Sequence, residues 1–88
     1  MKVEVEIDGL GQLEEALKYG PDVVMLDNFG LDDLVEAVRR NAGRVVLEAS
    51  GGVTLENVRA IAQTGVDVIS VGALTHSASA LDIGLDAA

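Results

Sequence analysis

Three acidic residues recur at a fixed interval in this chain: Glu6, Asp27 and Glu48, each 21 positions after the last. Each falls near the carboxyl end of a short apolar stretch, Val3–Ile7, Val23–Leu26 and Val45–Leu47. In a βα repeat, a constant step sets such groups at equivalent levels of adjacent strands, converging on one mouth. Converging carboxylates bind a divalent cation, directly or through water, or hydrogen-bond ribose hydroxyls. The plainer alternative is that polar strand ends simply face solvent, as in any α/β protein.

Two further segments carry chemistry of another kind. Glu48-Ala49-Ser50-Gly51-Gly52-Val53-Thr54 runs from a strand into a helix. Paired glycines let backbone N–H groups approach a ligand, and the helix that follows offers its positive end. Ser50 adds a hydroxyl. After the last apolar stretch, Val68–Val71, comes Gly72-Ala73-Leu74-Thr75-His76-Ser77, where a short helix is expected to begin near Thr75. Many α/β barrels bind phosphate between two such consecutive loops. Either loop alone is weak, because Ser-Gly-Gly is also a common helix entry; together, in this order, they predict a phosphate site. His76 is the single histidine, and phosphate contact fits its place. Nothing supports it as a general base.

The elements that position these groups are legible from periodicity. Leu10, Leu13 and Leu17 form one helical stripe, weakened by Gly11 at about 1 kcal/mol relative to alanine. Leu31, Leu34, Val35 and Val38 form a stronger one, with Asp32 and Asp33 suiting its first turn. Leu55, Val58, Ile61 and Ala62 form the third, with Thr54 as its N-cap. Gly20-Pro21, Gly43 and Gly65 end the helices, where glycine takes the left-handed cap conformation. The segments GPDVVML, GRVVLE and GVDVIS thus repeat every two dozen residues or so, the size of a short βα unit.

Parallel strands joined by right-handed crossovers follow. Strand Lys2–Ile7 alternates charge with valine or isoleucine, so one face packs on helices and the other is polar. That pattern favours a barrel wall over a flat sheet covered on both faces. Residues 1–88 are therefore read as one α/β domain, a parallel βαβαβαβ half-barrel of TIM-like type. A closed barrel needs about eight strands. The expectation is a piece of a larger catalytic domain, or an excised or engineered half, which Met1 followed directly by a strand also favours. Two copies would supply eight strands, so a homodimer is expected.

Composition limits the partners. The net charge is −9, with Lys2, Lys18, Arg39, Arg40, Arg44 and Arg59 the only basic residues, so nucleic acid and anionic membranes are excluded. One Tyr and one Phe leave the core to Val, Leu, Ile and Ala, and the absence of cysteine excludes disulfides and thiolate metal sites. With no membrane-length apolar run and no signal-peptide pattern, a cytoplasmic location is expected.

The segments VEVEI, VVMLDNF, LEASGGVTLENVRAIAQTGVDVISVGALTHS and ALDIGLD, spanning essentially the whole chain, resemble the C-terminal part of quinolinate phosphoribosyltransferases. The resemblance implies an enzyme of NAD synthesis. Its reaction forms nicotinate mononucleotide from quinolinate and phosphoribosyl pyrophosphate, with Mg²⁺, releasing carbon dioxide and pyrophosphate. It also implies that Glu6 and Asp27 lie near the ribose and the metal, with Glu48 beside them. Ser50, Gly51, Gly52, Gly72 and His76 then surround the ribose 5′-phosphate. The family's cationic residues for quinolinate and pyrophosphate come from segments this chain lacks, so the chain alone is expected to be inactive. A folding module whose only activity is self-association is the alternative. A receiver-like domain with Asp27 as phosphoacceptor ranks lower, since no lysine follows Lys18.

Overall fold

A computed structural model describes residues 1–71 and 74–77. Strand β1 (Glu4–Ile7) leads through a 3₁₀ turn at Leu10–Gln12 into helix α1 (Leu13–Lys18). Strand β2 (Val23–Asp27), helix α2 (Leu31–Asn41), strand β3 (Val46–Ser50), helix α3 (Val58–Ala62) and strand β4 (Val68–Val71) follow. Strand β5 (Leu74–Ser77) completes one sheet of order β1-β2-β3-β4-β5, parallel through β4 and antiparallel between β4 and β5. The predicted half-barrel alternation is thus present, as an open sheet.

Sequential strand order with right-handed crossovers puts every helix on one face. Burial agrees: Ile7, Val24, Leu26, Leu47, Ala49 and Ile69 pack with Leu13, Ala16, Leu17, Leu34, Ala37, Val58, Ile61 and Val66 in one apolar core. Each fully buried leucine contributes roughly 1.5–3 kcal/mol. The alternate residues of the same strands, among them Glu6, Met25, Asp27, Glu48, Ser50 and Ser70, lie on the opposite, helix-free face, exposed or half-buried.

Aspartates at the strand starts tie the repeat together. The Asp22 carboxylate accepts the Val3 N–H at 2.7 Å, and the Asp67 carboxylate accepts that of Leu47 at 2.9 Å. In the intervening unit, where GRVVLE has Val45 at this place, the buried Asn41 amide clamps Val45 itself from both sides, at 2.8 and 3.1 Å.

Four expectations are corrected. The first helix opens as a 3₁₀ turn around Gly11, whose backbone freedom weakens α-helix there. The left-handed cap of α2 begins at Ala42 (φ 50) and continues into Gly43 (φ 79), rather than at the glycine alone. The third stripe is cut short: regular α3 starts at Val58, and Leu55 stands exposed in the turn before it. Residues Leu74–Ser77 form a strand, not a helix, because pairing Val71 with Leu74 and Ile69 with His76 satisfies the backbone along β4.

Candidate functional site

The strand register settles where the three acids stand. Residues 4, 23 and 46 align across β1, β2 and β3, so the steps are 19 and 23, not 21. Each differs from 21 by two residues, one period of the pleat, so all three acids keep the same face. Their levels differ, which corrects the expected single tier. Glu6 and Glu48 sit in one row, each paired with Met25 from either side, and Asp27 stands one row further toward the carboxyl edge, opposite Ser50. Glu6 and Glu48 are separated by two strand spacings, roughly 10 Å.

The acids therefore divide into two environments. Glu6 and Asp27 border one hollow of about 230 Å³ at the carboxyl ends of β1 and β2, together with Ile7, Asp8 and Gln12. Glu48 instead accepts a short hydrogen bond from the Ser70 hydroxyl on β4. Among the described residues no three carboxylate or histidine groups converge as a metal cage. Two carboxylates on one hollow still suit Mg²⁺, which usually takes one or two protein carboxylates and fills its octahedron with water and substrate phosphate oxygens. Sequence reasoning missed Asp8 and Gln12. The Gln12 side chain accepts the Asp8 backbone N–H at 2.9 Å, and that contact lies in a loop with no periodicity to reveal it.

Beside this hollow, the turns after β2 and β3 touch. Asn28 has a left-handed backbone (φ 59), and its N–H donates to the Ser50 carbonyl at 2.7 Å. Gly51 and Gly52 are left-handed too, at φ 76 and 70. Next along the chain, Thr54 and Asn57 bond reciprocally: the Asn57 amide oxygen accepts the Thr54 N–H at 2.8 Å, and the Thr54 hydroxyl accepts the Asn57 N–H at 3.3 Å. That is a capping box with asparagine in the third position. The Asn57 amide also donates to the Gly52 carbonyl at 2.9 Å, tying the glycine loop to the helix entry. Ser50, Gly51, Gly52 and Asp27 are thus brought together. His76 lies on β5 paired with Ile69, and Gly72 falls outside the described residues.

Five of the six Lys and Arg residues stand away from this edge. Lys2 and Arg44 precede β1 and β3, while Lys18, Arg39 and Arg40 end helices, at the amino side of the sheet. Arg59 lies on α3. Arg44 donates to the carbonyls of Arg40 and Asn41, and Arg39 and Arg40 both bind Glu36. Those hydrogen bonds hold the Glu36 carboxyl at a pKa of about 2.

Comparison with known proteins decides the lineage. The sequence profile of the quinolinate phosphoribosyl transferase C-terminal domain matches residues 1–86. The chain belongs to this family. Nicotinate-nucleotide pyrophosphorylase (carboxylating) of Mycobacterium leprae is 51% identical over 86 residues, covering 94% of the chain. Its counterpart from Rattus norvegicus is 44% identical over 88 residues, covering 97%. The chain spans about 30% of the length of these relatives. Among solved structures, the nicotinate-nucleotide pyrophosphorylase of Francisella tularensis superposes with a TM-score of 0.75 at 48% identity, over 80% of this chain and 25% of that one. The quinolinate phosphoribosyl transferase C-terminal domain therefore supplies both the open sheet and the loops at its carboxyl edge. Among the described residues no helix is long and apolar enough to cross a membrane.

Proposed function

We propose that the chain carries the ribose-phosphate and metal side of a quinolinate phosphoribosyltransferase active site. That enzyme makes nicotinate mononucleotide, carbon dioxide and pyrophosphate from quinolinate and phosphoribosyl pyrophosphate in NAD synthesis. The observation that carries this reading is the contact between the Asp27–Asn28 turn and the Ser50–Gly52 loop. It sets an acidic strand end beside a glycine loop at the carboxyl edge, where α/β folds bind ligands.

In this reading Ser50, Gly51 and Gly52 donate to the 5′-phosphate, and Gly72 and His76 also contribute to its binding. Asp27 and Glu6 accept ribose hydroxyls and hold Mg²⁺, directly or through water. Glu48, oriented by the Ser70 hydroxyl, accepts a further ribose hydrogen bond. Mg²⁺ supplies positive charge to the pyrophosphate leaving group. The edge is otherwise acidic, so binding of quinolinate's two carboxylates needs cations from elsewhere, and the chain alone has no turnover.

A second copy is the proposed partner, meeting the exposed backbone edge of β1 and the helix-free face. Phosphorus NMR titration with ribose 5-phosphate and Mg²⁺ tests the site, and line broadening with loop shifts at Ser50–Gly52 is expected. Silence at those residues, or nicotinate mononucleotide formed by the pure chain, would overturn the corresponding half of the reading. Sedimentation equilibrium is expected to give a dimer, and a monomer at every concentration would refute the pairing.

A further inference from the structure

Glycine at position 51 has a reason beyond approach to a ligand. A Cβ built there would lie 2.5 Å from Asp27 Oδ1, 2.9 Å from the Asn28 nitrogen and 3.3 Å from the Asn28 Cα. Real Cβ atoms essentially never approach so closely, and two of these neighbours are backbone. Gly52 differs: a Cβ there would meet only Asn28 Oδ1, at 3.1 Å. The two glycines share a left-handed backbone, so conformational freedom alone does not separate them. What separates them is the Asp27 carboxylate, together with the Asn28 backbone nitrogen behind it.

We propose that Gly51 is a positioning residue for Asp27: its empty Cβ position is the slot that seats the carboxylate, and Asn28 sets the depth of that slot. Asn28 does so from both sides. Its N–H is bonded to the Ser50 carbonyl at 2.7 Å, which pins the β2 turn against the β3 loop. Its left-handed φ of 59, which asparagine tolerates better than most residues, turns the chain back immediately after Asp27. The carboxylate is therefore held against the same loop that is read as the phosphate cradle. A side chain at position 51 would push it off. The consequence for cation binding rests on the function proposed above, whereas the slot itself does not.

A double-mutant cycle in the 88-residue chain tests the slot. Thermal midpoints are compared for the wild type, Gly51→Ala, Asp27→Ala and the double variant. The backbone strain of alanine at positive φ and its approach to the Asn28 backbone act in both backgrounds, but the collision with the Asp27 carboxylate acts in one. Gly51→Ala is expected to lower the midpoint by roughly 10 °C when Asp27 is present, and by less than half as much in the Asp27→Ala background. Gly52→Ala is expected to cause equal losses in both. Equal losses for Gly51→Ala would overturn the slot, as would coupling of the same size at Gly52. If Gly51→Ala alone does not fold, the double variant decides: folding supports the slot and failure to fold overturns it. Mn²⁺ binding, followed by water-proton relaxation, adds a functional readout. Gly51→Ala is expected to raise the Mn²⁺ dissociation constant about tenfold, equivalent to about 1.4 kcal/mol. No Mn²⁺ binding by the wild type would sink the cation role of Asp27, while the midpoint cycle still judges the slot.

Discussion

Asn57 offers a way to separate the stability of the glycine loop from its affinity for anions. Its side chain accepts the Thr54 N–H at 2.8 Å and donates to the Gly52 carbonyl at 2.9 Å. Asn57→Ala removes both contacts. Loss of a cap costs about 1 kcal/mol, and a partly solvated hydrogen bond about 0.5–1 more. A total of roughly 1.5–2 kcal/mol lowers the midpoint of a domain this size by about 6–16 °C. Asn57→Asp should behave differently. The carboxylate keeps the acceptor for Thr54 and favours the helix start, so most stability returns. It cannot donate to Gly52, and it places negative charge beside the loop. Repulsion of a bound phosphate is worth on the order of 1 kcal/mol in a water-like dielectric, several-fold in Kd. Differential scanning calorimetry and phosphate titration of both variants are the assays. Melting of Asn57→Ala within about 2 °C of wild type, or phosphate binding by Asn57→Asp as tight as the wild type's, would refute these roles for Asn57.

Three further outcomes follow from the same geometry. Leu26, with no exposed surface at the centre of the helix-facing side of β2, is expected to cost about 2–5 kcal/mol on truncation to alanine. Urea unfolding checks it, and a loss below about 1 kcal/mol would contradict the core described here. Glu36 has a folded pKa of about 2 against an ordinary value of 4.5, so it binds fewer protons folded than unfolded in that window. The Glu36–Arg39–Arg40 contribution is therefore complete above pH 4.5 and fades as pH falls toward 2, and Glu36→Gln should flatten that acid limb of the midpoint-against-pH curve. Finally, added salt should strengthen phosphate binding in the absence of divalent cation, since screening relieves repulsion from a chain of net charge −9; a titration that weakens with salt would point to a basic site instead.

The alternation of strands and helices is readable because both periods are clean: valine-rich runs of four or five residues, then leucine stripes with acids at the start and glycine at the end. Levels within the sheet are not readable. A step of 21 between acids is a property of the chain, whereas the register of 19 and then 23 depends on how far each helix carries the backbone before the next strand begins. Parity survives because both registers are odd, so the shared face of Glu6, Asp27 and Glu48 is legible even though their tiers are not. The strand at Leu74–Ser77 escapes because its pairing with β4 is a tertiary choice. Thr75, His76 and Ser77 carry no apolar alternation that would mark them. The glycine pair stands out in the sequence, but for half of its reason. Only the folded chain shows Asp27 occupying the space a side chain at position 51 would need.

The two margins of the sheet are unlike, and that bears on where the absent chemistry enters. On one side the sheet ends at β5, antiparallel to its neighbour; on the other it ends at β1, a parallel strand with its outer backbone edge unpaired among the described strands. A βα unit extends a barrel by laying a parallel strand beside a parallel one, so β1 is the margin that can accept one. A copy pairing beyond β4 would first have to displace β5. Glu6 and the hollow it shares with Asp27 lie at this same β1 margin. An incoming strand would bring its own carboxyl-end residues directly opposite those two acids. In the proposed function, where cations for quinolinate's carboxylates come from elsewhere, the β1 margin is the place from which they would complete the mouth.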